Sequence, residues 1–236
     1  MLPPPVRDAL LDAWALVVPV GCAGCGVPDR ALCDRCAACL EARPSHRSLA
    51  DGTPVVCALD YGGPVRAAIL ALKEQGRTDV ARRLAAPLAL AIAEARDVGA
   101  VRAGRAAPPG QRTVETLVVP TSRAAYRRRG YDPVALLVRR AGLRPARALV
   151  AARRSAQQKT LAAAERAANR AESLRAARDL GGRRFVLVDD VLTTGATLGD
   201  AARAVRAAGG VVVSAATLAY TPRLLPHPGD GSLNVS

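Results

Sequence analysis

Short apolar runs punctuate the chain, and segments of helical period separate them. Val55 to Tyr61, Thr116 to Pro120, Phe185 to Val188 and Val211 to Thr217 are rich in β-branched residues. Phe185 to Val188 has the profile of a buried parallel strand. Gly62-Gly63-Pro64 turns the chain into a helix carrying Val65, Ile69 and Leu72. A second helix, capped by Asp79, aligns Val80, Leu84, Leu88 and Ile92 on one face, with a kink expected at Pro87. Pro133 opens another, with Leu136, Leu137 and Ala141 facing inward. From Leu198 the apolar positions Ala201, Ala202, Val205 and Ala208 repeat at helical spacing until Gly209 and Gly210 end the run.

The remaining segments carry weaker patterns. Residues 8–18 predict a short amphipathic helix with Leu11, Trp14 and Val18 on one side. Residues 41–54 read as a linker, and 104–112 as a Pro/Gly/Arg loop. Ala148 to Ala151 predicts a short strand, and 162–180 an Ala-rich, weakly amphipathic helix. Pro222, Pro226 and Pro228 mark a tail expected to be disordered. These boundaries divide the 236 residues into a small module at 1–50, a main domain at 51–221 and a tail at 222–236.

Composition changes the picture in two ways. Hydrophobic residues make up 50% of the chain but aromatics only 3%, so the core is built of Ala, Val and Leu. Net charge is +14, nearly all of it from Arg. Two readings of that charge stand: an Arg-rich coding bias, or an electrostatic footprint for phosphates or nucleic acid. No apolar run is long enough to span a bilayer, and Asp8 and Asp12 interrupt the apolar N-terminus, which lacks a basic leader. A cytoplasmic protein is expected.

The chemistry concentrates at the strand Phe185 to Val188. Asp189 and Asp190 follow it, then Thr193, Thr194, Gly195, Ala196 and Thr197, then a helix. A helix N-terminus offers unpaired N–H groups and a positive dipole end, which suit a phosphate. Gly195 permits close approach of the backbone. The threonines supply hydroxyl donors. The acids can hold sugar hydroxyls directly or through hydrated Mg²⁺. Phosphate, diol and metal together describe a ribose 5-phosphate bearing a pyrophosphate.

Two further clusters stand out. Thr121-Ser122-Arg123 and Arg127-Arg128-Arg129 follow the strand ending at Pro120. Loops at the carboxyl ends of parallel strands build ligand crevices, and guanidinium forks suit a pyrophosphate. Near the N-terminus, Cys22 and Cys25 form one CxxC knuckle and Cys33 and Cys36 another. Such knuckles place four thiolates around a structural Zn²⁺, with Cys39 as a rival ligand at the same spacing. Disulfides are a poor alternative in a reducing compartment. Cys57 reads as a buried strand cysteine.

Phe185 to Thr197 closely resembles the phosphoribosyl-pyrophosphate (PRPP) motif of type I phosphoribosyltransferases. The chain as a whole resembles the ComF family of competence-associated, phosphoribosyltransferase-like proteins. The likeness rests on the two knuckles, LKEQGR at Leu72 to Arg77, and VVPTSRAAYRRRGYD at Val118 to Asp132. It rests also on Gln158, Leu161, Arg166 and Asn169, and on the acid-pair motif. Family members commonly carry Asn where this chain has Asp132. The resemblance implies an α/β fold of type I phosphoribosyltransferase-like, Rossmann-like character: a parallel sheet flanked by helices, with an N-terminal zinc-ribbon module. It implies that Asp189, Asp190, Thr193, Thr194, Gly195, Ala196 and Thr197 hold PRPP with Mg²⁺. It implies that Arg123, Arg128 and Arg129 lie near the pyrophosphate, with Lys73 and Arg77 as further ligand-facing cations. Residues 153–169 fall where the type I enzymes carry a flexible hood. Three roles follow: a phosphoribosyltransferase with an unspecified acceptor, a single-stranded-DNA-binding accessory of the DNA-uptake machinery, or a PRPP-sensing regulator.

Overall fold

The computed structural model describes residues 21–28, 30–103, 113–152 and 173–221. Phe185 to Val188 lies at the heart of strand β7 (Arg184–Leu192), fully buried on both faces. Its neighbours are β3 (Val114–Val118) on one side and β8 (Val211–Tyr220) on the other, both parallel to it. β2 (Pro54–Asp60) extends the parallel set beyond β8, and the two-residue β4 (Pro145–Ala146) extends it beyond β3. β1 (Ser45–Ser48) pairs antiparallel with β2 and closes the edge. The sheet order is therefore β1-β2-β8-β7-β3-β4. β5 (Leu149–Ala151) and β6 (Leu174–Ala176) form a separate antiparallel pair.

Helices cover both faces, as near-continuous apolar strands require. On one face lie α2 (Gly63–Glu74), α3 (Ala81–Ala103) and α5 (Pro133–Arg140), preceded at α3 by a 3₁₀ turn, Thr78–Val80. Leu84, Leu88 and Ile92 of α3 pack there against Val186, Val188 and Leu218. On the other face α6 (Ala196–Ala207) packs Leu198, Ala201 and Val205 against Phe185 and Leu187, with Leu149 and Leu174 of the small sheet beside them. The short helices α1 (Asp34–Ala38) and α4 (Arg123–Arg129) belong to the cysteine knuckles and the basic loop. Cys22, Leu32, Cys36 and Leu40 join the first core, so the knuckles pack directly on the sheet domain. Among the described residues no helix is long and apolar enough to cross a membrane.

Several expectations are corrected. The linker expected at 41–54 contains β1, because that polar segment bonds to the free edge of β2. Residues 173–180 are not helical: Leu174–Ala176 pair with β5 instead. The buried carboxylate of Asp200 accepts from Ser173 Oγ and Leu174 N, both at 2.9 Å, which fixes that strand on α6. Asp79 does not cap a helix; it takes the guanidinium of Arg77 at 2.7 Å. Pro87 lies inside α3, where the kink is expected. The helix at 8–18, the loop at 104–112, the hood segment with Gln158, Leu161, Arg166 and Asn169, and the tail at 222–236 lie outside the described residues.

The topology fixes the site. From β3 the chain moves outward to β4, whereas from β7 it moves to β8 in the opposite sense. Loops leaving the adjacent carboxyl ends of β3 and β7 therefore diverge and open a crevice, the usual ligand position of open α/β sheets.

Candidate functional site

Asp189 and Asp190 lie inside β7 rather than after it, half-buried at its carboxyl end. Strand alternation directs them to opposite faces. Asp190 faces the α2 side, where Lys73 Nζ sits 2.9 Å from its Oδ2. Asp189 Oδ1 accepts the N–H of Asp190 at 2.8 Å. Burial, and then the negative charge of Asp190, push the Asp189 carboxyl up to about 7. That N–H bond and the Lys73 ammonium pull the other way, while Asp132 adds more negative charge. The acid pair thus carries more negative charge than one ammonium neutralises, which suits a divalent cation.

Thr193, Thr194, Ala196 and Thr197 are exposed and ring the start of α6. Gly195 is the N-cap, held left-handed at φ 77°. A Cβ there would lie 2.9 Å from Leu49 Cδ2, so a side chain at 195 meets Leu49 first. Thr194 Oγ1 accepts the Ala196 N–H at 3.3 Å. The loop therefore presents hydroxyls and backbone N–H groups to an incoming anion.

The end of α2 ties the site together. Glu74 takes Arg128 at 2.7 Å and Arg129 at 2.8 Å, and Tyr131 donates its hydroxyl to the Leu72 carbonyl. Arg129 is only 10% exposed and its Nε has no hydrogen-bond partner among the described residues. The structure thus brings Lys73, Arg128 and Arg129 together around one helix end. Arg77 turns the other way: its guanidinium donates to the Gly21 carbonyl at 2.8 Å and the Ala31 carbonyl at 3.5 Å, clamping the cysteine knuckles. Its expected role as a ligand-facing cation is replaced by this structural one. Arg123 lies apart from Arg128 and Arg129, lining a separate cleft with Tyr126 and Arg127.

Residue 132 has a defined place. Asp132 is the N-cap of α5, with Oδ1 accepting from Ala135 N at 2.9 Å and Oδ2 from Thr121 N at 3.3 Å. It joins the loop after β3 to the following helix. Glu74 and Tyr131, inside the LKEQGR and RRRGYD segments, make contacts that the sequence alone does not indicate.

The sulfurs of Cys22, Cys25, Cys33 and Cys36 lie within 4.8 Å of one another and form a group able to hold a metal ion. Cys22 and Cys33 are 3.7 Å apart, and Cys25 and Cys33 3.8 Å. Tetrahedral Zn–S bonds of about 2.3 Å set thiolates about 3.8 Å apart, so the four fit that ion. Burial resists ionisation of Cys22, yet the N–H groups of Cys33, Cys25 and Gly24 hold its thiol down to about 6. Burial and the neighbouring sulfurs push the Cys36 thiol up. Cys39 stays outside the group, its thiol on the Arg35 carbonyl. Cys57 is fully buried in β2, as expected.

Residues 125–233 match the family model of the phosphoribosyl transferase domain. No curated protein matches the sequence. Among solved structures, an orotate phosphoribosyltransferase from Aeropyrum pernix is similar at 18% identity, over 75% of this chain and 74% of that one, with a TM-score of 0.32. The family match takes in α4 after its first two residues, β7 with the acid pair, and the threonine loop. The similarity to that domain thus covers the acid-pair strand and the loop after it, while β3, Lys73 and Glu74 lie outside the matched residues.

Proposed function

We propose that the chain is a ComF-type, phosphoribosyltransferase-like protein that binds PRPP with Mg²⁺ and single-stranded DNA, working in DNA uptake or DNA processing. The observation that carries the PRPP reading is the acid pair: Asp189 raised to about 7, Asp190 on Lys73, and the Gly195 loop following in the same strand-to-helix turn. In this reading Asp189 and Asp190 hold the ribose hydroxyls, directly or through hydrated Mg²⁺. Thr193, Thr194, Gly195, Ala196 and Thr197 wrap the 5′-phosphate. Arg128 and Arg129 face the pyrophosphate, held in place by Glu74, whereas Arg123 lines the separate cleft. Lys73, with Nζ 2.9 Å from Asp190 Oδ2, partly neutralises the pair and would be a further cation beside a bound PRPP. Mg²⁺ supplies charge neutralisation for the pyrophosphate when bound. Cys22, Cys25, Cys33 and Cys36 hold a structural Zn²⁺.

The DNA part rests on the net charge of +14 and on Arg123, Arg127 and Arg147 of the separate cleft, which form no ion pair among the described residues. The cytoplasm is the compartment where PRPP, reduced thiols and an incoming strand meet, and proteins of the uptake machinery are the expected partners. Calorimetry with PRPP, with and without Mg²⁺, alongside a labelled single strand on the same preparation, tests both parts. Pyrophosphate release with candidate acceptors separates a transferase from a PRPP sensor. Absence of PRPP binding with zinc-loaded protein overturns the reading.

A further inference from the structure

A cleft of about 560 Å³ opens beside β3, on the side away from β7. One wall is α4, from which Arg123, Tyr126 and Arg127 project on one face, being three and four residues apart. The opposite wall is the β4–β5 connection, carrying Arg147. The floor is apolar, with Val118, Pro145 and Leu149. Tyr126 is 49% exposed, one of few large apolar side chains left open to solvent. Arg123, Arg127 and Arg147 are exposed and pair with no acid among the described residues. Asp132 is the acid that lines the cleft, and both its oxygens are already engaged by backbone N–H groups.

We propose that this cleft seats one nucleotide of a single DNA strand, its base on Tyr126 and the apolar floor and its phosphates on Arg123, Arg127 and Arg147. Bare pyrophosphate would use the guanidiniums but leave the apolar floor wet. An uncharged ring would fill the floor but leave three cations without purpose. A nucleotide satisfies both, and the volume falls within the range of small-ligand sites. Stacking on an aromatic face with flanking cations is how single strands are held with little sequence preference. Because the strand continues beyond the cleft at both ends, an open groove serves it better than a closed pocket. The inference rests on the DNA part of the proposed function and gives it a place.

The test uses fluorescence anisotropy of a labelled oligothymidylate with full-length, zinc-loaded protein, and calorimetry with PRPP and Mg²⁺. Tyr126→Ala should weaken the oligonucleotide by about tenfold, the loss expected of one stacked base. Tyr126→Phe should restore it. Arg147→Gln should weaken it and flatten its salt dependence by about 0.7 in the log–log slope. PRPP affinity should be unchanged in all three, since none of these residues is placed at the acid pair. Thymidine monophosphate should compete with the oligonucleotide, and a longer strand should compete better. Displacement by pyrophosphate as effectively as by the mononucleotide would make the cleft a simple anion seat and overturn the inference. Undiminished strand binding in both Tyr126→Ala and Arg147→Gln would overturn it while leaving DNA binding itself in place. Mononucleotide binding by a wild-type protein that ignores strands would overturn the strand assignment and the DNA reading together.

Discussion

Replacing Asp189 by Asn isolates the electrostatic condition of the site. The Asp189 carboxyl sits at about 7 in the fold against an ordinary value of 3.8. Between those values the folded chain binds more protons at this position than the unfolded chain, so stability falls as pH rises through that window. Each pH unit is worth about 1.36 kcal/mol, which places the full loss on the order of 4 kcal/mol by pH 8. Asn keeps the oxygen that accepts the Asp190 N–H at 2.8 Å and does not ionise. The two proteins should therefore be about equally stable near pH 4. The variant should gain on the wild type steadily until about pH 7 and stay ahead above it. Urea denaturation from pH 4 to 8.5 measures the difference, in which titrations common to both proteins cancel. Saturating Mg²⁺ should narrow the gap, because a bound cation compensates the charge. Parallel pH profiles, or an Asn variant less stable at pH 8, would refute a crowded, cation-demanding acid pair.

Other perturbations test separate parts of the account. Gly195→Ala should cost about 1–2 kcal/mol for the left-handed backbone, with more from the 2.9 Å approach to Leu49; adding Leu49→Ala in a double-mutant cycle should return the contact part only. A neutral Gly195→Ala would mean the loop does not need that conformation. Glu74→Gln should weaken PRPP binding without unfolding the chain, since it releases the charges of Arg128 and Arg129 together; unchanged affinity would show that neither arginine faces the ligand. Metal analysis should give about one zinc per chain, retained in Cys39→Ser and lost in a Cys22→Ser/Cys33→Ser double variant. Zinc surviving in the double variant would sink this ligand set.

The parts of the fold legible in the sequence were those whose local pattern and tertiary fate agree. Phe185 to Val188 is apolar on both faces and becomes a central strand. Val65, Ile69 and Leu72 share a helix face and are buried there. Ser45 to Ser48 gave no signal, because an edge strand with exposed positions needs no apolar alternation; its partner, β2, decides it. Leu174 to Arg178 consists of good helix formers, and the buried Asp200 on a distant helix overrides that preference. At the site, residue types were readable and partners were not. The pairing of Glu74 with arginines 54 and 55 positions later, and of Arg77 with carbonyls 56 and 46 positions earlier, follows from helix placement alone. The cysteine group was legible as a group, and the exclusion of Cys39 required the turn of α1, which directs that thiol to the Arg35 carbonyl.

The central claim is that the acid pair and the loop after it form one Mg²⁺-dependent PRPP site. Titrating PRPP into zinc-loaded protein by calorimetry, with Mg²⁺ and with chelator, for wild type, Asp190→Asn and Lys73→Met, tests it most directly. The account predicts one site per chain with wild type and Mg²⁺, strong weakening on chelation, and loss of that Mg²⁺ dependence in Asp190→Asn. It predicts weaker PRPP binding in Lys73→Met with the Mg²⁺ dependence preserved. PRPP binding of equal strength in all of these conditions, or no heat with wild type and Mg²⁺, would contradict it.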